Sequence, residues 1–289
     1  MSQKRSNSNI WMTDRLSIGE RYHSLISQVL YQGKSQYQNI SVVKLFNESK
    51  ALYLDNQLQS TTADEFIYHE SLIHIPFISH KNPENVLIIG AGEGATAREA
   101  LKWNSVKKIT LIEIDEDVIL SCNKYLPEMS LGAYQDSKVE IIITDARDFL
   151  KNNKNKYDVI ICDLCDQIFD ENNILNNSFL LSCKNILSQN GIMCIQSGEI
   201  PVIQNPLFEK YLFLVKSLFL SMKLYSVWIP SYCRNWAFIL LSDNKITLNS
   251  IEDIKNTINC NLSQNLKFIN EKAYLGLFHP PKYIQEFEK

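Results

Sequence analysis

Residues Val86–Ala100 read VLIIGAGEGATAREA, and this stretch sets the architecture of the chain. Four apolar residues run into Gly90-Ala91-Gly92, and an alanine-rich helix former follows. Strand, glycine turn and helix in that order begin a parallel α/β sheet, with the turn over a ligand and the helix N-terminus behind it. The unusual residue is Glu93, a carboxylate inside a loop of the kind that cradles phosphate. Helix N-termini favour negative ligands, so a diphosphate and Glu93 would lie side by side. Two like charges ~4 Å apart cost several kcal/mol in a partly dry site. Glu93 therefore points to a guest that is cationic there, such as a nucleoside carrying a sulfonium.

Outward from this stretch, short apolar runs alternate with helix-forming segments. KKITLIEID, KVEIIITD, KYDVIICD and GIMCIQS are the runs, separated by ATAREALKW, EDVILSCNKYL and SFLLSCKNIL. Continuously apolar strands suit a parallel sheet covered on both faces. KLYSVWIP and NWAFILLS predict an antiparallel edge. Upstream, QYQNISVVKLF and KALYLDNQLQST predict strands, with Asp55-Asn56 turning a hairpin. TADEFIYHESLIHIPF predicts a helix capped by Thr62 with Glu65 three residues on, ending near Pro76; SHKNPEN predicts a linker. The fold class expected is α/β: a small N-terminal antiparallel β domain with a linking helix over 1–80, then a Rossmann-like, class I methyltransferase-type domain over 81–289.

The bulk numbers exclude several classes. A chain of 289 residues, 45% of them hydrophobic, can bury a large core. The formal net charge is -3 without a basic block, which argues against nucleic acid. MSQKRSNSNIW lacks the apolar centre of a signal peptide, and YLFLVKSLFL is short and broken by Lys216, so no membrane partner is expected. Seven cysteines suit reduced thiols in a cytoplasmic protein. Cys162 and Cys165 have half of a zinc-site spacing, but no second pair stands near, and no metal site is expected.

Ligands of open α/β sheets bind outside the carboxyl ends of the strands. Those ends are acidic here: Glu93, then Glu113 and Asp115, then Asp145, then Asp163 and Asp166. Gly90-x-Gly92-x-x-Ala95 with Glu113 downstream also fits a dinucleotide fingerprint, which keeps a nicotinamide-dependent dehydrogenase open on the glycine pattern alone. Asp163 and Asp166 add negative charge to the crevice, and the adjoining loop has no Lys or Arg. Mg²⁺ normally has phosphate to bridge, whereas a polyamine spaces its ammonium groups along an apolar chain and suits these acids better.

Together LYLDNQLQSTTADEFIYHE, NVLIIGAGEGATAREALKW, ITLIEIDEDVILSCNKYLPEM, DARDFL, YDVIICDLCD and AYLGLFHPPKYIQE resemble the polyamine aminopropyltransferases, the spermidine synthase family, from about Tyr31 onward. The resemblance implies decarboxylated S-adenosylmethionine as co-substrate, no prosthetic group, and a homodimer or homotetramer assembled through the β domain. It also implies that Gly90, Gly92 and Glu113 hold the nucleoside, with Asp145 and Ala146 at the adenine and Gln38 and Asp170 nearby. Glu93 would hold the aminopropyl ammonium and repel the carboxylate of intact S-adenosylmethionine. Asp163 would accept the proton of the attacking amine, Tyr68 would orient it, and His69, Asp166, Gln196 and Tyr232 would line the amine channel. The product expected is spermidine from putrescine, with a triamine acceptor as the second reading.

The chain departs from the family pattern at three places. Ala91 and Glu93 in the glycine loop resemble thermospermine synthase-like members; QIFDENN follows Asp166 in place of a Pro- and Gly-rich lid; IPSYCRNW replaces the usual Ile-Pro-Thr-Tyr-Pro-x-Gly. A putrescine N-methyltransferase shares the framework, but Glu93 speaks against it. A non-catalytic polyamine or nucleoside sensor would account for the altered lid, and retention of Asp163 and Tyr68 speaks against that.

Overall fold

The computed structural model describes residues 10–16, 19–90, 92–164, 174–203, 205–247 and 250–288. The chain begins with β1 (Trp11–Arg15), β2 (Arg21–Lys34), β3 (Asn39–Leu45), β4 (Lys50–Leu54) and β5 (Gln57–Thr61). These form one antiparallel sheet in sequence order. The turn between β4 and β5 falls at Asp55 and Asn56, both at positive φ (48° and 63°), as a two-residue hairpin with matching twist requires.

Helix α1 (Glu65–His80) follows. It runs through Pro76 and is capped from Asp64, not Thr62. The Thr62 hydroxyl accepts from the Lys50 amide, and the Glu65 carboxylate is drawn inward by His69 and Arg98, so neither half of the expected capping box is available. Asp64 instead takes the Thr61 hydroxyl at 2.5 Å and the Ser231 amide at 2.7 Å.

The second half alternates β6 (Asn85–Gly90), α2 (Ala95–Leu101), β7 (Lys108–Glu113), α3 (Glu116–Tyr125), α4 (Pro127–Ser130), β8 (Val139–Ile143), α5 (Ala146–Asn152), β9 (Tyr157–Asp163), α6 (Asn177–Ile186), β10 (Leu187–Glu199), α7 (Pro206–Leu218), β11 (Ser221–Ile229) and β12 (Arg234–Ser242). Three short helices, α8 (Ile251–Asn261), α9 (Glu271–Leu277) and α10 (Lys282–Gln285), complete it. The sheet order is β11-β12-β10-β9-β6-β7-β8. Pairing is parallel from β10 to β8 and antiparallel where β12 joins β10 and β11. This is the Rossmann-like sheet with an antiparallel edge that the sequence leads one to expect.

The apolar run of β6 shows why both faces are covered. Val86 and Ile88 pack with α1 residues such as Leu72 and Phe77, while Leu87 and Ile89 pack with Leu150, Phe179 and Phe208 of the opposite helices. The N-terminal sheet meets the larger one through Ile40, Val42, Leu52 and Leu54 against Val118, Cys122, Leu126 and Met129. Lys50 reinforces the contact at the Tyr125 carbonyl and Glu128. No helix is long and apolar enough to cross a membrane among the described residues.

Candidate functional site

The central strands β6, β7 and β9 end side by side, so the residues that close them share one crevice. Gly90 makes this close approach possible. Its φ is +85°, and a Cβ there would overlap the Asp163 carbonyl. Gly92 lies against Val118 in the same tight manner, and its carbonyl accepts from the Tyr134 hydroxyl.

Asp163 is held at both oxygens. Tyr68, nearly buried on α1, donates to Oδ1, and Thr96, in the first turn of α2, donates to Oδ2 at 2.6 Å. Burial raises the Asp163 carboxyl above the usual range; the positive His69 pulls it down and nearby Glu93 pushes it up. Thr96 was not among the candidates read from the sequence. Its one local signal is a hydroxyl immediately after the glycine turn.

Glu93 meets His69, whose Nε2 lies 3.3 Å from its Oε1. On the other side, the His69 Nδ1 is 2.9 Å from Glu65 Oε2, and Glu65 in turn accepts from Arg98 at 2.7 Å. Burial would strip the His69 proton, but Glu65 and Glu93 outweigh it and lift the imidazole to about 10. Burial would also neutralise Glu65, yet His69 and Arg98 bring it down to about 2.

Glu113 folds back on its own turn, accepting from the Ile114 and Asp115 amides at 2.8 and 3.0 Å. Burial, with Asp115 and Glu93 adding to it, pushes this carboxyl up to about 7 despite those two bonds. Asp115 caps α3 and receives Ser35 at 2.7 Å and the Gln38 amide at 2.9 Å. Gln38 thus ties the N-terminal sheet to the second strand end. Asp145 caps α5 and is clasped by Arg147 at 2.6 Å, which holds its carboxyl below the usual range. Asp145 is therefore the one strand-end acid among these paired with an arginine, which its sequence neighbours did not lead us to expect, whereas Glu93 faces the His69 imidazole. Among the described residues no Lys or Arg forms an ion pair with Glu93, Glu113, Asp115 or Asp163.

Two cavities meet here. One, about 240 Å³, is lined by Gly90, Glu113, Ile114, Asp145, Ala146, Leu164 and Ile174 among others. The other, about 60 Å³, has Glu93, Asp163 and Tyr68 in its wall together with Gln59, Gln196, Tyr232 and Trp236. Gln196 is aimed by a register shift in β10 and bonds the Leu164 carbonyl and Trp236. Tyr232 donates to the Gln59 carbonyl and packs on Trp236, ring centroids 4.7 Å apart. Of the fourteen candidates, Asp166 and Asp170 lie outside the described residues, as does the expected lid over 167–173. Cys162 is buried in β9, and its former companion Cys165 also lies outside.

The spermine/spermidine synthase domain matches residues 65–252, and the spermidine synthase tetramerisation domain matches 10–62. A polyamine aminopropyltransferase of Sulfolobus acidocaldarius is 37% identical over 272 residues, covering 92% of this chain and 89% of that protein. One from Caldicellulosiruptor bescii is 35% identical and covers 97% of this chain and 98% of its own length. The crystal structure of a spermidine synthase from Thermotoga maritima superposes with a TM-score of 0.86 at 27% identity, covering 99% and 96% of the two chains. A spermidine synthase in complex with the transition state analogue AdoDATO gives 0.88 at 27% identity, covering 99% and 97%.

Proposed function

We propose a reaction for this chain on one premise: it belongs to the spermine/spermidine synthase family. The enzyme is an aminopropyltransferase with decarboxylated S-adenosylmethionine as co-substrate, and the acceptor is putrescine. The observation that carries the reading is the placement of Glu93 and Asp163 in the wall of one narrow cavity, without a Lys or Arg ion pair at either among the described residues. Both guests of such a pocket bear positive charge.

The nucleoside fits the larger cavity, with Glu113 toward the ribose and Ala146 beside the base. Asp145 reaches that cavity with Arg147 attached, so its polar contribution comes from the pair. Glu93 takes the ammonium of the aminopropyl arm. The acceptor amine, of ordinary pKa ~10, arrives protonated and is a poor nucleophile in that form. Asp163, already positioned by Tyr68 and Thr96, accepts its proton. The nitrogen then forms a bond to the carbon beside sulfur, the C–S electrons return to sulfur, and methylthioadenosine leaves. A cavity of about 60 Å³ suits a thin aliphatic chain, far below the several hundred Å³ of most ligand sites. Tyr232 and Gln59, bonded to each other in its wall, favour the four-carbon diamine over a triamine. We place the boundary between the oligomerising β unit and the catalytic unit near residue 80.

The test is to incubate the protein with decarboxylated or intact S-adenosylmethionine and a panel of diamines and triamines, then identify products by mass spectrometry. Spermidine from putrescine is expected. Turnover with the intact donor alone overturns the donor, and a tetraamine as main product overturns the acceptor. In the same assay Asp163→Asn should lower kcat by roughly 10²–10⁴, the usual contribution of a positioned base, while calorimetry still detects the donor. Near-normal turnover in that variant removes Asp163 from proton transfer.

A further inference from the structure

His69 and His74 lie five residues apart on α1, both buried, and their partners give them opposite chemistry. The Trp103 indole N–H donates to His74 Nδ1 at 2.9 Å, so that nitrogen carries no proton. His74 Nε2 is then the donor, to Glu99 at 2.8 Å. Only one ring proton is needed.

His69 has an acceptor on each side. Nδ1 is 2.9 Å from both the Glu65 carboxylate and the Glu65 carbonyl, two oxygens that can only accept. Nε2 faces Glu93 Oε1 at 3.3 Å, close enough for an ion pair though not aligned as a hydrogen bond, and has no other partner among the described residues. A neutral ring donating from Nδ1 would present its Nε2 lone pair to a carboxylate. The arrangement is favourable only when both nitrogens carry protons.

From this geometry, and resting on the proposed reaction, we propose that His69 is a permanent imidazolium that steers Glu93 toward the aminopropyl ammonium, and that Glu65 is the positioning residue that keeps the second proton on it. The groups facing the ring are Glu65 and Tyr68 from α1, Glu93 from the turn before α2, and Asp163 from β9, with Arg98 behind Glu65. Three carboxylates, Glu93, Asp163 and Glu113, crowd this end of the crevice, and beyond burial the Glu93 charge disfavours ionisation of the other two. One fixed positive charge at Oε1 pairs with Glu93 and leaves its other oxygen for the substrate. Glu65 could not do this unaided, because a buried carboxylate would take up a proton; His69 itself and the Arg98 guanidinium behind it hold it as the anion.

The first test reads the proton directly. A long-range ¹H–¹⁵N spectrum of histidine-labelled protein near pH 8, assigned with His69→Asn, should show two protonated nitrogens for His69 and one for His74; a reference imidazole of pKa ~6.5 would be neutral there. A His69 ring with a single protonated nitrogen overturns the inference, and this measurement needs no Glu65 variant to fold. The second test is Glu65→Gln, which keeps an acceptor toward Nδ1 and removes the charge. Its KM for decarboxylated S-adenosylmethionine should rise about tenfold or more between roughly pH 6 and pH 8, where the wild type shows no such rise from His69, and Glu65→Asp should restore part of the loss. A KM that does not rise with pH in Glu65→Gln overturns the role given to Glu65. The spectrum is recorded without substrate, so its failure removes this inference alone. A chain that transfers no aminopropyl group from any donor removes the reaction on which it rests.

Discussion

Glu113, in the wall of the larger cavity, is a single carboxyl held there at the expense of the fold. Its carboxyl reaches about 7 in the free protein, against an ordinary 4.5, chiefly because it is buried. A folded-state value raised above the unfolded one means that the native protein holds the proton longer. The associated stability is present below about pH 4.5 and is lost as pH rises through about 7. Glu113→Gln, which cannot ionise, should therefore gain about 1–3 kcal/mol at pH 8 and almost nothing at about pH 4, as read from urea unfolding at the two pH values. The same variant should bind the donor more weakly, since a ribose hydroxyl prefers an ionised acceptor. A variant no more stable at pH 8 than the wild type would show that Glu113 already carries its charge without cost. At this scale the sequence was informative where position follows from local pattern: Glu93, Glu113 and Asp163 each close an apolar run. It was silent where a partner comes from another element. Thr96 reaches Asp163 because β6, which leads into α2, pairs with β9, and Arg98 reaches Glu65 because α1 packs on α2. Arg147 is the exception, two residues from Asp145 and brought onto it by the cap of α5.

Helix α1 shows the limit of local rules for an element. Its spacing of Thr62 and Glu65 matches a capping box, yet Glu65 is claimed by His69 and Arg98, and a cap gives way when a charged network offers stronger bonds. Pro76 does not end the helix, which continues to His80 because both sides of that segment, Ile75, Phe77 and Ile78, are buried in the core. The strand β2 was unreadable for a different reason. Its pairing with β3 shifts register between Ile26 and Gln28 and again between Val29 and Tyr31, so no simple alternation survives along it. The true cap region makes a prediction at this scale. Asp64 joins the start of α1 to the loop before β12 through the Ser231 amide, and its carboxylate is nearly buried. Asp64→Ala leaves that amide and the Thr61 hydroxyl without their acceptor, which should cost about 1–3 kcal/mol, seen as a lower urea midpoint with unchanged slope. Since Tyr232 sits in the same loop, KM for the amine should rise as well. An unchanged midpoint would mean that water replaces Asp64 at no cost.

For the whole molecule, a formal charge of only -3 does not report that Glu93, Glu113, Asp115, Asp145 and Asp163 gather where the parallel strands end. That concentration, rather than net charge, is what the sequence made legible, because a parallel sheet places every strand end on one side. How copies of the chain associate was legible only by resemblance. The first two strands now supply a physical reason: Ile10 and Trp11 are each 53% exposed, and Tyr22 and Val29 of β2 are 40% and 44% exposed. These lie within the segment that matches a tetramerisation domain. A half-exposed Trp still has a large part of its ring to bury and is a frequent anchor of protein interfaces. Trp11→Glu places a charge at that point, and loss of one such anchor weakens association by 2 kcal/mol or more, about thirtyfold. Light scattering over a dilution series should show the variant's mass falling toward that of one 33.4 kDa chain at concentrations where the wild type stays assembled. Glu93, Asp163, Tyr68 and Tyr232 line a cavity within a single chain, so the dissociated variant should keep its turnover per chain. Unchanged mass at every dilution would move the interface to another surface, and activity lost in step with dissociation would mean that a neighbouring copy completes the pocket.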